Sequence, residues 1–303
     1  MENDPFGLSG RTAVITGAGG GLGRTHAILF AKHGANVVVN DLGGKFDGSG
    51  KGSEMADSVV AEIKAAGGNA VANYDSVATA EGAAGIVKSA IDAFGRIDIL
   101  VNNAGILRDK SFVNMTDEDW DIVFAVHVKG TYYCTKAAWP LLREQKYGRV
   151  VFTASASGIY GNFGQSNYSA AKMGLIGLGQ TLALEGEKYN IRVNTIAPMA
   201  ASRMTESLVP PHILEKLKPE CVSPLVVYLC SEAIDVNGEV YEVGAGAVSR
   251  IEWLRSKGVA MRPDQISVEA VAAAWKQIND MTDSKILRSV GESTRATLAH
   301  CMG

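Results

Sequence analysis

The sequence predicts an α/β fold in which helices cover both faces of a doubly wound, parallel β-sheet. Short, nearly continuous apolar runs alternate with longer stretches of helical periodicity over residues 12–198, as is typical of strands that are covered on both faces. A glycine-rich turn joins the first apolar run to the first helical stretch. Alternation of this kind implies right-handed crossovers between parallel strands.

Six strands and five helices are predicted in this core. The strands are Thr12–Thr16, Asn36–Asp41, Asn69–Tyr74, Ile99–Ala104, Arg149–Ser155 and Ile191–Pro198, with Gly238–Gly246 as a candidate seventh. The helices are Leu22–His33, Ser53–Ala66, Ala80–Phe94, Asp117–Glu144 and Asn167–Tyr189. In such a sheet the carboxyl ends of the strands share one edge, where ligands bind.

Composition and charge argue against several classes of protein. The chain has 303 residues, of which 47% are apolar and 20% charged, and a net charge of −3. This is ordinary globular composition, without the basic excess that nucleic acid or an acidic membrane surface attracts. No apolar run reaches the roughly 18 residues of a membrane span, and the four cysteines lack the paired spacing of a metal site.

The glycine-rich turn has the sequence TGAGGGLG over residues 16–23. Glycines at 17, 21 and 23 keep Cβ atoms away from the backbone N–H groups and the helix N-terminus that a diphosphate needs. Because the motif follows a strand and opens a helix, Gly17, Gly21 and Gly23 indicate a Rossmann-type dinucleotide site.

Asp41 ends the second predicted strand, 18 residues after Gly23. A carboxylate there can accept hydrogen bonds from both ribose hydroxyls of NAD, and it repels the 2′-phosphate of NADP. We therefore predict NAD as the cofactor. Asp75 and Ser76, just past the third strand, are further candidates for contact with the adenine.

Ser155, Tyr168 and Lys172 are the candidate catalytic residues. Tyr168 and Lys172 are four residues apart and share a helix face, and Ser155 ends the fifth strand. Oxidation of an alcohol needs a base, and a free tyrosine has a pKa of about 10. A lysine ammonium about 5 Å away is expected to lower that pKa by roughly two units. Ser155 is then expected to hold the substrate oxygen.

These motifs, with NNAG at 102–105 and YSAAK at 168–172, resemble the short-chain dehydrogenase/reductase family over about residues 8–250. The resemblance implies hydride transfer above Tyr168, with Ser155 on the substrate oxygen and Lys172 on the nicotinamide ribose. It implies a homodimer. The residues that it places around NAD are Leu22, Asp41, Ser76, Val77, Asn103 and Ala200.

A closer resemblance, to the (3R)-hydroxyacyl-CoA dehydrogenase units of type 2 multifunctional enzymes, runs over nearly the full length. It rests on the segments 37–44, 104–112, 154–178 and 201–206. It implies oxidation of (3R)-3-hydroxyacyl-CoA to 3-oxoacyl-CoA in fatty acid β-oxidation, and a peroxisomal location, with the cytoplasm as the alternative. In those enzymes a hydratase unit follows on the same chain. The sequence ends in Cys301-Met302-Gly303, which is not an SKL-type peroxisomal signal.

Three positions depart from the general family pattern. His127 stands where the family usually has an asparagine that supports a water relay to the lysine. A satisfied core histidine is the simpler interpretation, and a ring nitrogen that holds the same water is the alternative. Pro198-Met199-Ala200 replaces the usual Pro-Gly, and Val243–Gly246 replaces an acidic-Gly-Gly ending.

Other interpretations stay open at this point. A steroid, a sugar or an acyl-carrier-protein substrate is compatible with the same motifs, and a non-catalytic nucleotide-binding module is a remote alternative. Arg108, Lys110 and Arg203 are candidates for the CoA phosphates, although solvated surface charge is the simpler interpretation. We expect residues 1–250 to form the NAD-binding core and residues 251–303 a helical extension, with a helix over Val268–Met281, that packs on the core or on a dimer partner.

Overall fold

The computed structural model describes residues 4–45, 47–200 and 215–299. The chain divides into two compact units, Met1–Arg250 and Ile251–Gly303. Eight strands of the first unit form one sheet in the order β3-β2-β1-β4-β5-β6-β7-β8, and all pairs from β3 to β7 are parallel. The strands are β1 (Thr12–Thr16), β2 (Asn36–Asn40), β3 (Asn69–Asn73), β4 (Ile99–Asn102), β5 (Gly148–Thr153), β6 (Ile191–Met199), β7 (Val240–Gly244) and β8 (Ala247–Ile251).

The predicted doubly wound sheet is confirmed. The chain begins in the middle of the sheet at β1, proceeds outward to β3, and returns through β4 to the other half. The helices of this unit are α1 (Gly21–Lys32), α2 (Glu54–Ala65), α3 (Ala80–Phe94), α4 (Asp117–Phe124), α5 (Gly130–Gln145), α6 (Ala156–Tyr160), α7 (Ser166–Gly186) and α8 (Ser223–Leu229).

Two apolar clusters hold the helices against opposite faces of the sheet. Alternate residues of a strand point to opposite faces, and β1 shows this directly. Ala13 and Ile15 pack in one cluster with side chains of α1, α2 and α8. Val14 packs in the other with side chains of α3, α5 and α7. Burial on both faces explains why the strands are continuous apolar runs.

The predicted helix over Asp117–Glu144 is present, but it is not α-helical throughout. A π-helical turn at Ala125–Lys129 separates α4 from α5. Such turns are inserted into helices where side chains must be re-aimed, frequently at functional sites. Here the turn carries His127, whose side chain is buried.

Several other element bounds differ from the predictions. The strand ends at Asp41, Tyr74 and Ser155 fall outside the observed strands, so these residues belong to the loops at the ligand edge. α7 ends at Gly186 and continues as a 3₁₀ turn. α6, α8 and β8 were not predicted, because each is short and lacks a full period of hydrophobic pattern.

The second unit contains β9 (Leu254–Arg255), β10 (Lys285–Ile286), α9 (Val268–Ile278) and α10 (Val290–Leu298). β9 and β10 pair antiparallel. The predicted helix in this region is present, but it ends three residues earlier, at Ile278. Neither α9 nor α10 contains a buried residue. Across the described parts of both units, no helix has the length and apolar character needed to cross a bilayer.

Candidate active site

The glycine-rich turn forms an open approach to the N-terminus of α1. Gly17 and Gly21 adopt φ angles of +63° and +50°, which a side chain disfavours. A Cβ on Gly17 would lie 2.8 Å from Ala104 Cα, whereas the Cβ side of Gly21 faces open space. The first turn of α1 has no acidic residue, so the positive end of the helix is available to an anion. The turn therefore fits a dinucleotide diphosphate.

Asp41 lies directly beside this turn. Its Oδ2 accepts a hydrogen bond from Gly19 N–H at 2.8 Å, and its Oδ1 accepts one from Gly43 N–H at 2.7 Å. An ionised carboxylate has about four lone-pair sites. Two backbone donors therefore fix the orientation of the carboxylate and leave sites for the hydroxyls of a ribose.

The residues predicted for the adenine lie where β3 ends. Asn73 Nδ2 donates to Asp75 Oδ2 at 2.8 Å, and Asn40 Nδ2 donates to Asp75 O at 2.9 Å. Ser76 Oγ accepts a hydrogen bond from Ala78 N–H. Asn40 and Asn73 thus hold Asp75 in place, which sequence reasoning missed because both amides lie inside predicted strands.

Asn103 connects β4 to the glycine turn. Its Nδ2 donates to Thr16 O at 3.0 Å and to Gly17 O at 3.1 Å, and its backbone N–H donates to Thr16 Oγ1. The side chain therefore sets the shape of the turn. Val77, also predicted beside NAD, is buried and belongs to the cluster under α3.

The structure brings Ser155, Tyr168 and Lys172 together. Ser155 begins α6, and its Oγ accepts a hydrogen bond from Ser157 N–H at 3.2 Å. Tyr168 lies near the start of α7, and Ser155 lies close enough to its hydroxyl to act on its pKa. One turn later, Lys172 Nζ lies 5.5 Å from the centroid of the Tyr168 ring and donates to Thr153 O at 2.5 Å. The loop after β5 and one face of α7 thus position the three side chains.

The expected lowering of the Tyr168 pKa is not observed in the protein alone. Burial raises the pKa of Tyr168 to about 12, the hydrogen bond from Ser155 acts in the opposite direction, and the charge of Asp109 raises it further. Burial also lowers the pKa of Lys172 to about 7. A charged lysine at moderate dielectric would lower the pKa of Tyr168. The loss of water around both groups changes their pKa values more, and in the opposite direction for the tyrosine.

His127 is fixed behind the tyrosine. Its ring packs edge-on against the Tyr168 ring, with centroids 5.3 Å apart, and its Nε2 lies 2.8 Å from Ile106 O. Burial, and secondly the charge of Lys172, hold the pKa of His127 well below its ordinary value. The ring is therefore neutral, and Nε2 lies within hydrogen-bond distance of both the carbonyl oxygen and the N–H of Ile106. The Nδ1 atom of the ring is buried without a hydrogen-bond partner among the described residues.

Asn167 was missed by the sequence analysis and fixes the start of α7. It is fully buried. Its Nδ2 donates to Arg108 O at 3.1 Å and to Asp119 O at 3.0 Å, and its Oδ1 accepts from Tyr168 N–H at 2.7 Å. It therefore ties the backbone of the tyrosine to the loop after β4. Its position directly before Tyr168 was the only signal in the sequence.

A second missed contact lies in the same region. Gln165 is buried, and its Nε2 donates to Asp109 Oδ2 at 2.7 Å. Burial raises the pKa of Asp109. Since the charge of this carboxylate acts on the Tyr168 hydroxyl, the loop that carries Asp109 borders the catalytic group.

The remaining predicted positions have mixed outcomes. Ala200 packs against the apolar cluster under α1. Lys110 pairs with Asp119, with Nζ 2.7 Å from Oδ2, so its charge is partly neutralised as a candidate for CoA phosphates. Arg203 and the rest of the segment 201–206 lie outside the described residues.

Comparison with known proteins agrees with this geometry. The family model described as short chain dehydrogenase matches residues 11–211. The peroxisomal multifunctional enzyme type 2 of Mus musculus is 54% identical over 292 residues, which cover 96% of this chain and 39% of that protein. The chain thus spans about two fifths of the length of this relative.

Two solved structures are similar as well. The full-length peroxisomal multifunctional enzyme type 2 of Drosophila melanogaster has a TM-score of 0.83 and 43% identity, over 97% of this chain and half of that chain. A 7α-hydroxysteroid dehydrogenase complexed with NADH and 7-oxo glycochenodeoxycholic acid has a TM-score of 0.73 and 30% identity, over 81% of this chain and 98% of that chain. With the fold, the glycine turn and the Ser–Tyr–Lys site, these matches show that the chain belongs to the short-chain dehydrogenase family of oxidoreductases.

Proposed function

We propose that this chain oxidises (3R)-3-hydroxyacyl-CoA to 3-oxoacyl-CoA in fatty acid β-oxidation, with NAD as the hydride acceptor. The observation that carries the proposal is the convergence of three side chains: Lys172 Nζ lies 5.5 Å from the centroid of the Tyr168 ring, and Ser155 acts on the Tyr168 hydroxyl from the loop after β5. The substrate class is supported by the relatives, whose names identify peroxisomal multifunctional enzymes at about 54% identity.

The three side chains divide the proton chemistry between them. Ser155 donates a hydrogen bond to the oxygen on C3 and stabilises the negative charge that develops there. Tyr168 takes the proton of the C3 hydroxyl, and in the reverse direction it returns this proton to the ketone. Lys172 holds the ribose hydroxyls next to the nicotinamide. Bound NAD supplies the carbon that accepts the hydride, together with a positive charge.

The high pKa of Tyr168 gives the two directions different dependences on pH. At neutral pH the phenol is protonated and ready to act as an acid towards a 3-oxoacyl group. The oxidation needs the phenolate, which the Lys172 ammonium and the charge of the oxidised cofactor both favour. His127 is a positioning residue in this scheme: it fixes the ring face of Tyr168 and offers its unpartnered Nδ1 to a water near Lys172.

The cofactor proposal rests on Asp41 and its surroundings. Its carboxylate is held beside the turn by two backbone N–H groups. A 2′-phosphate would bring roughly −1.5 to −2 charges next to this anion. NAD is therefore preferred to NADP, with Gly17, Gly21, Leu22 and Gly23 at the diphosphate.

A steady-state kinetic panel tests the function. NADH formation at 340 nm is measured with (3R)- and (3S)-3-hydroxyacyl-CoA, with NAD and NADP, and with a 7α-hydroxysteroid as a substrate of the neighbouring class. We expect turnover of the 3R series with NAD, and at least about 100-fold lower kcat/KM for the 3S series and for NADP.

Two results would contradict the proposal. Turnover of the steroid without turnover of any (3R)-hydroxyacyl-CoA would show that the site acts on a different class of substrate. Equal use of NADP would show that Asp41 does not select the cofactor.

We also propose a homodimer that pairs through α7. Successive turns of this helix present exposed small residues, at Ala170, Gly174, Gly177 and Thr181, and no heavy atom of the described residues outside the helix lies within 4 Å of a Cβ built on Gly174 or Gly177. A second copy of the helix could therefore approach closely around a two-fold axis. Light scattering should give about twice 31.9 kDa, and Gly177→Arg should give a monomer. A monomeric wild type would contradict the proposal.

A peroxisomal location and a hydratase unit on a longer native chain complete the proposal. Both are supported by the relatives, which are named as peroxisomal enzymes and extend well beyond the matched region. Fractionation of the source cells should place the native protein with catalase in the peroxisomal fraction, whereas recovery in the cytosolic fraction would contradict the location.

A further inference from the structure

The three most exposed large apolar side chains of the first unit belong to two neighbouring segments of the chain. Among the described residues of this unit, Phe163, Val113 and Phe112 are 92%, 87% and 80% exposed, and no other large apolar side chain of that part exceeds 72%. A cluster of exposed apolar side chains usually marks a binding surface, whereas single exposed apolar side chains are common on any protein. We call these three side chains the apolar rim.

Hydrogen bonds tie the two segments of the rim to each other. Phe112 and Val113 belong to a 3₁₀ turn after β4, and Phe163 belongs to the loop before α7. The two segments are joined on both sides of the turn. The contacts are Gln165 Nε2 to Asp109 Oδ2 at 2.7 Å, Lys110 N–H to Gly164 O at 2.9 Å, and Ser166 Oγ to Met115 Sδ at 3.4 Å.

The same contacts lead from the rim to the catalytic groups. Gln165 directly precedes α7, which begins at Ser166 and carries Tyr168 in its first turn. Asp109, held by Gln165, acts electrostatically on the Tyr168 hydroxyl. The rim therefore begins within a few residues of the group that takes the substrate proton, on the loops at the carboxyl ends of the strands.

We propose that the apolar rim binds the hydrocarbon tail of the acyl group and sets the preference for long chains. This inference rests on the proposed function and extends it to chain length. A 3-hydroxybutyryl group has one methyl beyond the reacting carbon, so it ends inside the site. Each added methylene extends the tail further from the catalytic groups. Burial of each one against Phe or Val stabilises the bound substrate by about 0.8 kcal/mol at most.

A second copy of the chain is a poorer occupant of the rim. Two phenylalanines and one valine offer on the order of 500 Å² of apolar surface, whereas a stable interface buries about 800 Å² on each partner. The flanking residues Asp109, Lys110 and Asn114 are polar or charged, so the apolar area does not extend further along this segment.

The test compares chain lengths in rim variants. kcat/KM is measured with (3R)-3-hydroxybutyryl-CoA and (3R)-3-hydroxydodecanoyl-CoA for the wild type, Phe112→Ser, Phe163→Ser and the double variant. Phe112→Leu and Phe163→Leu keep an apolar surface, and Val290→Ser removes an equally exposed apolar side chain of the second unit. We expect the wild type to prefer the C12 substrate and the double serine variant to lose about tenfold of the C12:C4 ratio, with the leucine variants and Val290→Ser unchanged in this ratio.

The possible outcomes separate the inference from the proposed function. If the wild type oxidises neither substrate, the proposed function fails. If it oxidises both and the double serine variant keeps the wild-type C12:C4 ratio, the function stands and the rim inference is wrong. The inference is also wrong if the serine variants lose both activities equally, or if light scattering shows that they change the oligomeric state.

Discussion

Tyr168→Phe is expected to lower kcat at least about a thousandfold while NADH still binds with nearly unchanged affinity. The substitution removes one oxygen from a partly buried ring that packs against His127, so the shape of the site is kept. The lost group is the one that exchanges a proton with the substrate, and such groups contribute about 10²–10⁴ in rate. Binding is measured by NADH fluorescence and turnover at 340 nm.

A matched control and a pH series sharpen this prediction. Tyr189→Phe removes the hydroxyl of a half-buried tyrosine that bonds Arg143, outside the catalytic group, and should leave kcat unchanged. Because the pKa of Tyr168 is raised to about 12, the wild-type rate of oxidation should rise from pH 7 to pH 9, whereas the rate of reduction should stay nearly constant because the phenol remains protonated over this range. Normal turnover in Tyr168→Phe would show that a group other than Tyr168 exchanges the proton with the substrate.

Lys172→Met is expected to abolish activity and yet stabilise the protein. Lys172 is 3% exposed, and burial lowers its pKa to about 7. The difference from the ordinary value near 10.4 corresponds to a destabilisation of about 5 kcal/mol. Loss of the hydrogen bond to Thr153 O costs the variant about 1–3 kcal/mol. We expect the free energy of unfolding at pH 6 to rise by about 2–4 kcal/mol, a cost that the wild type accepts for function.

The gain should depend on pH in a defined way. Below pH 7 the lysine is charged in both folded and unfolded chains, so the full penalty is present. Between pH 7 and about 10.4 the unfolded chain holds more protons than the folded one, so the wild type gains stability as the pH rises. The advantage of Lys172→Met should therefore shrink across this interval. Lys64→Met, at an exposed position, is the control, and an advantage that does not change with pH would contradict the buried charge.

The sequence contained enough information for the fold and for most of the site. The patterns that carried these predictions are local in the sequence. They are the continuous apolar strands, the TGAGGGLG turn and the four-residue spacing of Tyr168 and Lys172, which places both residues on one helix face. The structure therefore places Asp41 beside the turn and Ser155 beside Tyr168, as predicted.

The remaining features depend on contacts between distant segments. The π-helical turn around His127 has no signature in the hydrophobic pattern, because a one-residue insertion does not interrupt it. The high pKa of Tyr168 follows from burial by several elements, which the spacing to Lys172 does not report. Asn167 and Gln165 act by bonding the loop after β4, about 55 residues earlier in the chain.

A crystal structure of the complex with NAD and a 3-oxoacyl-CoA tests the central claim most directly. The account predicts that Tyr168 Oη and Ser155 Oγ both lie about 2.6–3.2 Å from the C3 oxygen, with Lys172 Nζ on the ribose hydroxyls. A complex in which the C3 oxygen is bound by other groups, with Tyr168 Oη too far for even a water-bridged contact, would contradict the account.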